Sequence, residues 1–454
     1  MTHAHSVSGA RTAARAERPL VRASALDTAR ICAEVLAPTI ARGILARRPR
    51  VVALAGRLRL DERGGRLLQR MRARYGPGPL RLRLPGRSFA LVLSAADVRR
   101  VLREGPEPFA PANREKRAAL KHFQPHGVLV STGAERAERR AFNERVLDTP
   151  HPVHGHADAF IAKIEEEAAA LLDAAGDGGE LGWDAFRVAW WRTVRRIVLG
   201  DAARDDSETS DLLTRLRMDA NWAFAHPRRT AVRDRFLARV HRYVEYAEPG
   251  SLAELVARAP AAPGLRRDEQ VPQWLFAYEP AGMAAFRALA LLAAHPDAAE
   301  RAAKEARGGG SDLPFLRASV EESVRLWPTT LSILRDTTAP TEWDGRAMPE
   351  GTGLLIHTPF VQRDDETLPF ADAFAPEVWL DGTAEDDWSL VPFSGGPGEC
   401  PGRNLVLLTT SVFLAALLRS RRVRLASGQP LGPDGPLPRT LDAFALRFAL
   451  APPA

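Results

Sequence analysis

Only two of the 454 residues are cysteine, Cys32 and Cys400. Two cysteines so far apart cannot build a disulfide framework or a multi-cysteine zinc site, so each must be judged singly. Uncharged apolar runs are short as well. Even Leu405 to Leu418 falls below the ~18 to 20 residues that span a bilayer, so no transmembrane helix is expected. The arginines between Arg11 and Arg22 have no apolar run behind them, and no secretory signal is expected. A Gly-x-Ser-x-Gly elbow and a dinucleotide fingerprint are both missing. Gly308-Gly309-Gly310 lacks the preceding strand and the following Lys-Ser/Thr of a phosphate loop. Any redox chemistry must therefore draw its electrons from a separate protein. No repeat at a solenoid period is present.

Arginine is plentiful, and its placement is uneven. The formal net charge is +7, yet residues 1–75 hold 16 Arg, no Lys and 5 acidic residues, so the remainder of the chain is slightly acidic. The basic excess belongs to an N-terminal arm without interleaved aromatics, which argues against nucleic-acid binding. Within that arm Ile31, Val35, Leu36, Ile40 and Ile44 recur at helical spacing, predicting an amphipathic helix docked on the protein. With the Arg47, Arg48, Arg50 cluster beside it, peripheral membrane contact is the alternative. A cytoplasmic protein is the default expectation.

The arm (residues 1–75) leads into one body (residues 76–454). Leu80–Leu84 and Phe89–Leu93 read as a hairpin around Pro85-Gly86, and Ser94 caps a helix. Helical periodicity then dominates from about residue 133 to 307, with runs such as Trp183–Leu199, Asp211–Ala225 and Glu269–Ala294, and returns in Leu313–Leu326. Ser332–Thr338 and Leu354–His357 read as strands. The fold class predicted is mainly α with a small β component.

The strongest local signal is Pro392-Phe393-Ser394-Gly395-Gly396-Pro397-Gly398-Glu399-Cys400-Pro401-Gly402-Arg403-Asn404. Glycines let backbone pass close to a flat ligand, and a cysteine before a helix N-terminus feels the positive end of the dipole, which favours a metal-ligating thiolate. This segment resembles the cysteine loop of the cytochrome P450 haem-thiolate monooxygenases, F-x-x-G-x-x-x-C-x-G, with Phe393, Gly396, Cys400 and Gly402 in order and spacing. The resemblance implies the single-domain cytochrome P450 fold and haem b, with Cys400 as the iron ligand and Phe393 packed beside the sulfur. Gly398 departs from the pattern, since the family usually has a basic residue there that reaches a haem propionate.

Further segments fit the same resemblance. Glu322-Ser323-Val324-Arg325 matches the family's E-x-x-R lock, although its third partner, an arginine, is replaced in Pro376-Glu377-Val378-Trp379. Arg335, and Arg136 with Arg140, stand where the family anchors its haem, and guanidinium forks suit carboxylates. The oxygen-side motif reads Phe276-Ala277-Tyr278-Glu279-Pro280: Glu279 matches the acid that delivers protons, whereas Pro280 replaces the alcohol and is expected to kink the helix. Trp190 and Trp191 read as core, and His151, His154 and His156 as a surface loop.

These matches imply a bacterial-type soluble monooxygenase that inserts one oxygen atom from dioxygen into a small lipid-like or natural-product substrate, served by a ferredoxin-like donor and its reductase. The alternatives are a peroxide-dependent peroxygenase, a haem-thiolate isomerase or dehydratase, and a non-catalytic haem-binding protein.

Overall fold

The computed structural model describes residues 18–176, 178–427 and 430–452, so Arg11 and Arg15 of the N-terminal basic run lie outside the described residues. About 56% of the chain is helical and 9% strand, as the periodicity predicts. The long helix Val271–Ala294, called here the central helix, packs against Trp183–Leu199, Pro314–Leu326 and Arg403–Ser420. Its apolar side meets an aromatic cluster in which Phe286 lies 4.8 Å from Phe186 and 5.0 Å from Phe448, ring centre to ring centre. The helix Arg403–Ser420 buries three alcohols in succession. Thr409, Thr410 and Ser411 satisfy themselves on the carbonyls four residues back, which removes the cost of placing hydroxyls in the core.

A five-stranded sheet covers one flank in the order Leu80–Leu82, Phe89–Val92, Gly353–His357, Ser332–Thr337, Phe109–Ala110. The Phe89–Val92 to Gly353–His357 pairing is parallel and the others are antiparallel. This register buries Arg335 on the inner face of Ser332–Thr337.

Two helices, Asp268–Ala294 and Arg403–Ser420, are by length and composition apolar enough to cross a membrane, contrary to the expectation of none. Arg403–Ser420 extends past the uncharged stretch read from sequence, and 78% of the 18-residue apolar window of each helix is buried in the fold, as in core helices.

The arm is built into the body. A helix from Ala25 to Ala41 runs through a π-helical turn at Cys32–Leu36. That wide turn breaks the 3.6-residue period, and with it the predicted stripe: Ile31 and Val35 are buried, but Ile40 and Ile44 are 46% and 54% exposed. The buried face continues instead through Thr39 and Arg42, and Arg42 grips Asp61 through two bonds of 2.6 and 2.7 Å.

Behind the future site, Glu322 and Arg325 form a pair with no exposed side-chain surface, 2.6 Å apart. Arg325 spends its remaining N–H groups on the carbonyls of Gln362, Phe370, Ala371 and Ala373. The missing third partner is supplied one residue beyond Val378: Trp379 donates its indole N–H to Glu322 at 2.9 Å, and the Ala375 N–H adds a further bond at 2.8 Å. A neutral donor satisfies the carboxylate without adding a second charge to the core. Removing one member of such a pair strands the other without water. Arg325→Ala is expected to cost about 3–5 kcal/mol in chemical denaturation, and Trp379→Phe, which deletes one bond to a charged group, about 1–3 kcal/mol.

Candidate functional site

The cysteine loop owes its shape to close approaches. Gly396 has φ +60°, and a Cβ there would lie 2.3 Å from the Leu102 carbonyl oxygen. The loop closes through the Cys400 N–H, which donates to the Phe393 carbonyl at 3.0 Å. Gly402 is different: a Cβ would find only Leu147, at 3.8 Å, so no described protein atom demands glycine there. Cys400 is deeply enclosed but keeps some accessible surface, as an atom lining an internal cleft does. Burial raises its thiol above the ordinary value, outweighing the Gly402 N–H and the Arg140 and Arg403 charges that pull it down. In the bare protein burial thus opposes the thiolate, and a cation beside the sulfur would favour it.

Gly398 is explained by Arg335. A Cβ at 398 would lie 2.8 Å from Arg335 Nη2. The guanidinium thus lies over the position where the family usually carries a basic residue. Arg335 is 3% exposed and donates to Ser394 Oγ at 3.1 Å and to its own neighbour's carbonyl, Leu334, at 3.0 Å. Burial, with Arg136 nearby, pulls it down to about 10. Lys116, which sequence reasoning missed, joins it. Its ammonium donates to the Pro111 and Leu334 carbonyls at 3.1 and 3.3 Å and is pushed well below its usual range by burial and by Arg335. Arg136 donates to the Pro397 carbonyl at 3.1 Å. The adjoining acid, Asp336, is taken by Arg87. Arg335, Lys116 and Arg136 thus converge on main-chain and hydroxyl oxygens with no carboxylate of their own among the described residues. Arg140 donates to the Glu399 carbonyl at 2.6 Å, which clamps the loop, while Glu144 occupies its Nε.

On the central helix, Gln273, Phe276, Ala277 and Pro280 keep accessible surface, as does Glu279, while the other residues of Val271–Ala281 are buried. Their spacing puts all four on one face. The helix meets the one after Cys400 where the Tyr278 hydroxyl lies 3.3 Å from Thr409 Oγ1. Pro280 does not end the helix, which runs unbroken to Ala294. The carbonyl that takes an outside donor is Tyr278, bonded to Trp190 Nε1 at 2.7 Å, and Gly282 makes room, since a Cβ would lie 2.6 Å from that indole. Glu279 forms an ion pair with Arg217 of Ser207–Ala220, so its carboxylate does not stand free as the sequence motif suggests. That helix starts four residues earlier than predicted because Asp206 caps it through the Thr209 N–H. The histidine cluster includes a buried member, His154, bonded to the Val146 carbonyl, and no group of metal-ligating side chains is found among the described residues.

A soft sulfur donor in a glycine loop, two enclosed cations with a third, half-buried one beside them, and a largely apolar helix face suit a flat, anionic metal complex. The residues fit haem: Cys400 for iron, Arg335 with Lys116 and Arg136 for its carboxylates, and the open flank of Gly402 for close approach of its plane.

The comparisons agree. The cytochrome P450 family model matches residues 277–438. Cyclooctat-9-en-7-ol 5-monooxygenase from Streptomyces melanosporofaciens is 34% identical over 167 residues, 33% of this chain and 36% of that protein. A putative cytochrome P450 137 from Mycobacterium tuberculosis is 30% identical over 164 residues, 36% of this chain and 34% of its own length. The chain thus matches about a third of the length of these relatives. Retinoic acid-bound cyanobacterial CYP120A1 has the same fold, with a TM-score of 0.68 at 19% identity, covering 85% of this chain and 93% of that one. Residues 277–438 are thus similar to the cytochrome P450 family, whose members carry haem, and the chain shares the fold of a cytochrome P450.

Two measurements check the site. In the haem-free protein, Cys400 alkylation by iodoacetamide at pH 8 is expected to be slower than that of a free thiol, because the raised folded value leaves less thiolate at any pH below it; an equal rate contradicts the effect of burial. Arg335→Leu is expected to weaken haem retention, read by transfer to apomyoglobin, whereas Arg140→Leu destabilises the loop.

Proposed function

We propose that the protein is a haem-thiolate monooxygenase that inserts one oxygen atom from dioxygen into a small, largely apolar organic substrate. The observation that carries this is Cys400, enclosed in its glycine loop beside cations that no described carboxylate neutralises. Haem bound there supplies the oxidising chemistry. The chain's own residues orient the group, hold the sulfur and exclude water: Phe393 closes the loop over Cys400, Arg140 fixes it from behind, and Phe276, Ala277 and Pro280 offer the substrate an apolar wall. A lipid-like or natural-product substrate suits that wall, and the Streptomyces relative named above acts by its title on cyclooctat-9-en-7-ol. A ferredoxin-like donor with its reductase would dock at the cleft beside Gly396 and Pro397, lined by Arg99, Arg103 and Trp388 together with Glu385 and Asp386. Two free thiols fit a cytoplasmic location.

One feature favours a second reading. Pro280 has no hydroxyl and Glu279 is committed to Arg217, so the chain lacks the usual alcohol relay; hydrogen peroxide as oxidant removes the need for one. By contrast, Arg335 over Gly398 and Trp379 on Glu322 account for two of the departures that suggested a non-catalytic haem carrier.

The arm adds a proposal of its own, contact with an anionic membrane surface. Ile40, Ile44, Leu54 and Leu58 are about half exposed, as are Trp222 and Phe224 on the adjoining loop, where Arg48 sits 4.7 Å above the Trp222 ring. Cosedimentation with phosphatidylserine vesicles that survives Ile44→Ser/Leu54→Ser unchanged argues against it.

The reduced, carbon-monoxide-bound protein is expected to show a thiolate-type Soret band that disappears in Cys400→Ser; a histidine-type spectrum in the wild type overturns the assignment. Product formed with reductase and ferredoxin supports the dioxygen reading. Turnover with peroxide alone, gaining dioxygen coupling in Pro280→Thr, supports the second.

A further inference from the structure

Two buried carboxylates stand side by side in Pro314–Leu326. Glu322 is consumed by Arg325 and the meander, whereas Glu321, 5% exposed, turns toward the helix that follows Cys400. Its Oε1 accepts from Arg403 Nη2 at 2.7 Å and from Arg403 Nε at 3.2 Å. Arg403 is the first residue of that helix, and its backbone N–H donates to the Cys400 carbonyl at 3.2 Å. The remaining contact of the guanidinium, Nη1 to Glu399 Oε1, is long at 3.4 Å and lies at the surface, where the Arg403 and Glu399 side chains are 43% and 42% exposed.

These side-chain bonds do not shape the loop. Its backbone is held by other groups: Arg140 on the Glu399 carbonyl, Thr149 Oγ1 on the Pro401 carbonyl at 2.7 Å, and Asn404, which donates to the Thr149 carbonyl at 2.9 Å. The Arg403 side chain bonds only carboxylates. Enclosing Glu321 is costly: burial raises it above the ordinary carboxylate value even with Arg403 and Arg317 beside it, and an ion pair so placed adds little net stability. What the pair supplies is a full positive charge fixed three residues from Cys400. Arg403 pulls the Cys400 thiol down and Glu399 pushes it up, while Glu321, paired to the same guanidinium, offsets part of its charge.

We propose that the Glu321–Arg403 pair sets the reduction potential of the iron held at Cys400: Arg403 raises it, and Glu321, a positioning residue, holds the guanidinium in place and damps its charge. This deepens the haem-thiolate reading and rests on it. One-electron reduction adds one negative charge to the site, so a fixed cation nearby favours the reduced form and a carboxylate the oxidised one. The electron comes from the donor protein, and no proton or bond changes at the pair.

The test is redox titration of the haem-loaded full chain at low salt, with the carbon monoxide spectrum recorded on every sample. Arg403→Gln is expected to lower the equilibrium constant for one-electron reduction at least threefold, about 28 mV at 59 mV per tenfold. Glu321→Gln, which keeps an oxygen for Arg403 and loses the charge, is expected to raise it by at least the same factor. Arg403→Lys, which keeps the charge, is expected to stay close to the wild type. Shifts of the same sign in the two Gln variants, no shift in either, or an Arg403→Lys shift as large as that of Arg403→Gln overturns the proposal. Loss of the thiolate-type spectrum in Arg403→Gln also overturns it, making the pair a structural clamp. Should Glu321→Gln not fold, Arg403→Glu, at a partly exposed position, replaces it: a larger drop than in Arg403→Gln supports the charge argument, and an equal one overturns it. The two readings fail separately: a thiolate-type spectrum with unmoved potentials sinks only this inference, whereas a histidine-type spectrum in the wild type sinks the haem-thiolate reading itself.

Discussion

The Glu322–Arg325 pair is the constraint on which the rest of the site depends. Two opposite charges with no exposed surface must find every hydrogen bond inside the protein, and they do so by gathering the carbonyls of residues 362–373 and the N–H groups of Ala375 and Trp379. That stretch has little regular secondary structure of its own. It is held as a meander because leaving any of those contacts unmade exposes a desolvated charge. The Gln362 side chain then takes the Val391 N–H at 3.1 Å, two residues before Phe393, so order passes from the ion pair to the cysteine loop through a single amide.

Around the loop, the chain balances burial against charge in an unequal way. Arg335 and Lys116 are enclosed without an ion-paired acid, with Arg136 half-buried beside them, and a ligand carrying negative charge would offset that cost. The direction of the Cys400 shift fits the same logic: the sulfur holds its proton while no positive metal charge stands beside it, and gives it up to a metal cation. Both departures from ordinary protein electrostatics favour one occupant, metal at the sulfur and carboxylates at the cations.

What could be read in the sequence was local. Phe393, Gly396 and Cys400 declare themselves because a backbone turn of that tightness has few chemical solutions, and the helical runs because their period is regular. What could not be read was contact between segments distant in sequence. Gly398 is a departure in one dimension and a complement in three, since Arg335 stands over it from a strand about 60 residues earlier in the chain. Trp379 replaces an arginine with an N–H that no charge pattern reveals. Lys116 carries no local mark at all. The apolar stripe of the arm failed for a different reason: a π-helical turn shifts the phase, and periodicity is legible only where the phase is constant.

The docking of the arm has a consequence for where the functional unit begins. Leu45 offers its carbonyl to the same guanidinium that holds Glu279, and Arg47 crosses to Thr329. A boundary at residue 75, natural when charge composition alone is considered, would sever this network and leave Arg217 facing water. Loss of the first few dozen residues, by proteolysis or by an alternative start, would therefore act as a change in the chemistry of the interior rather than as the removal of a tail.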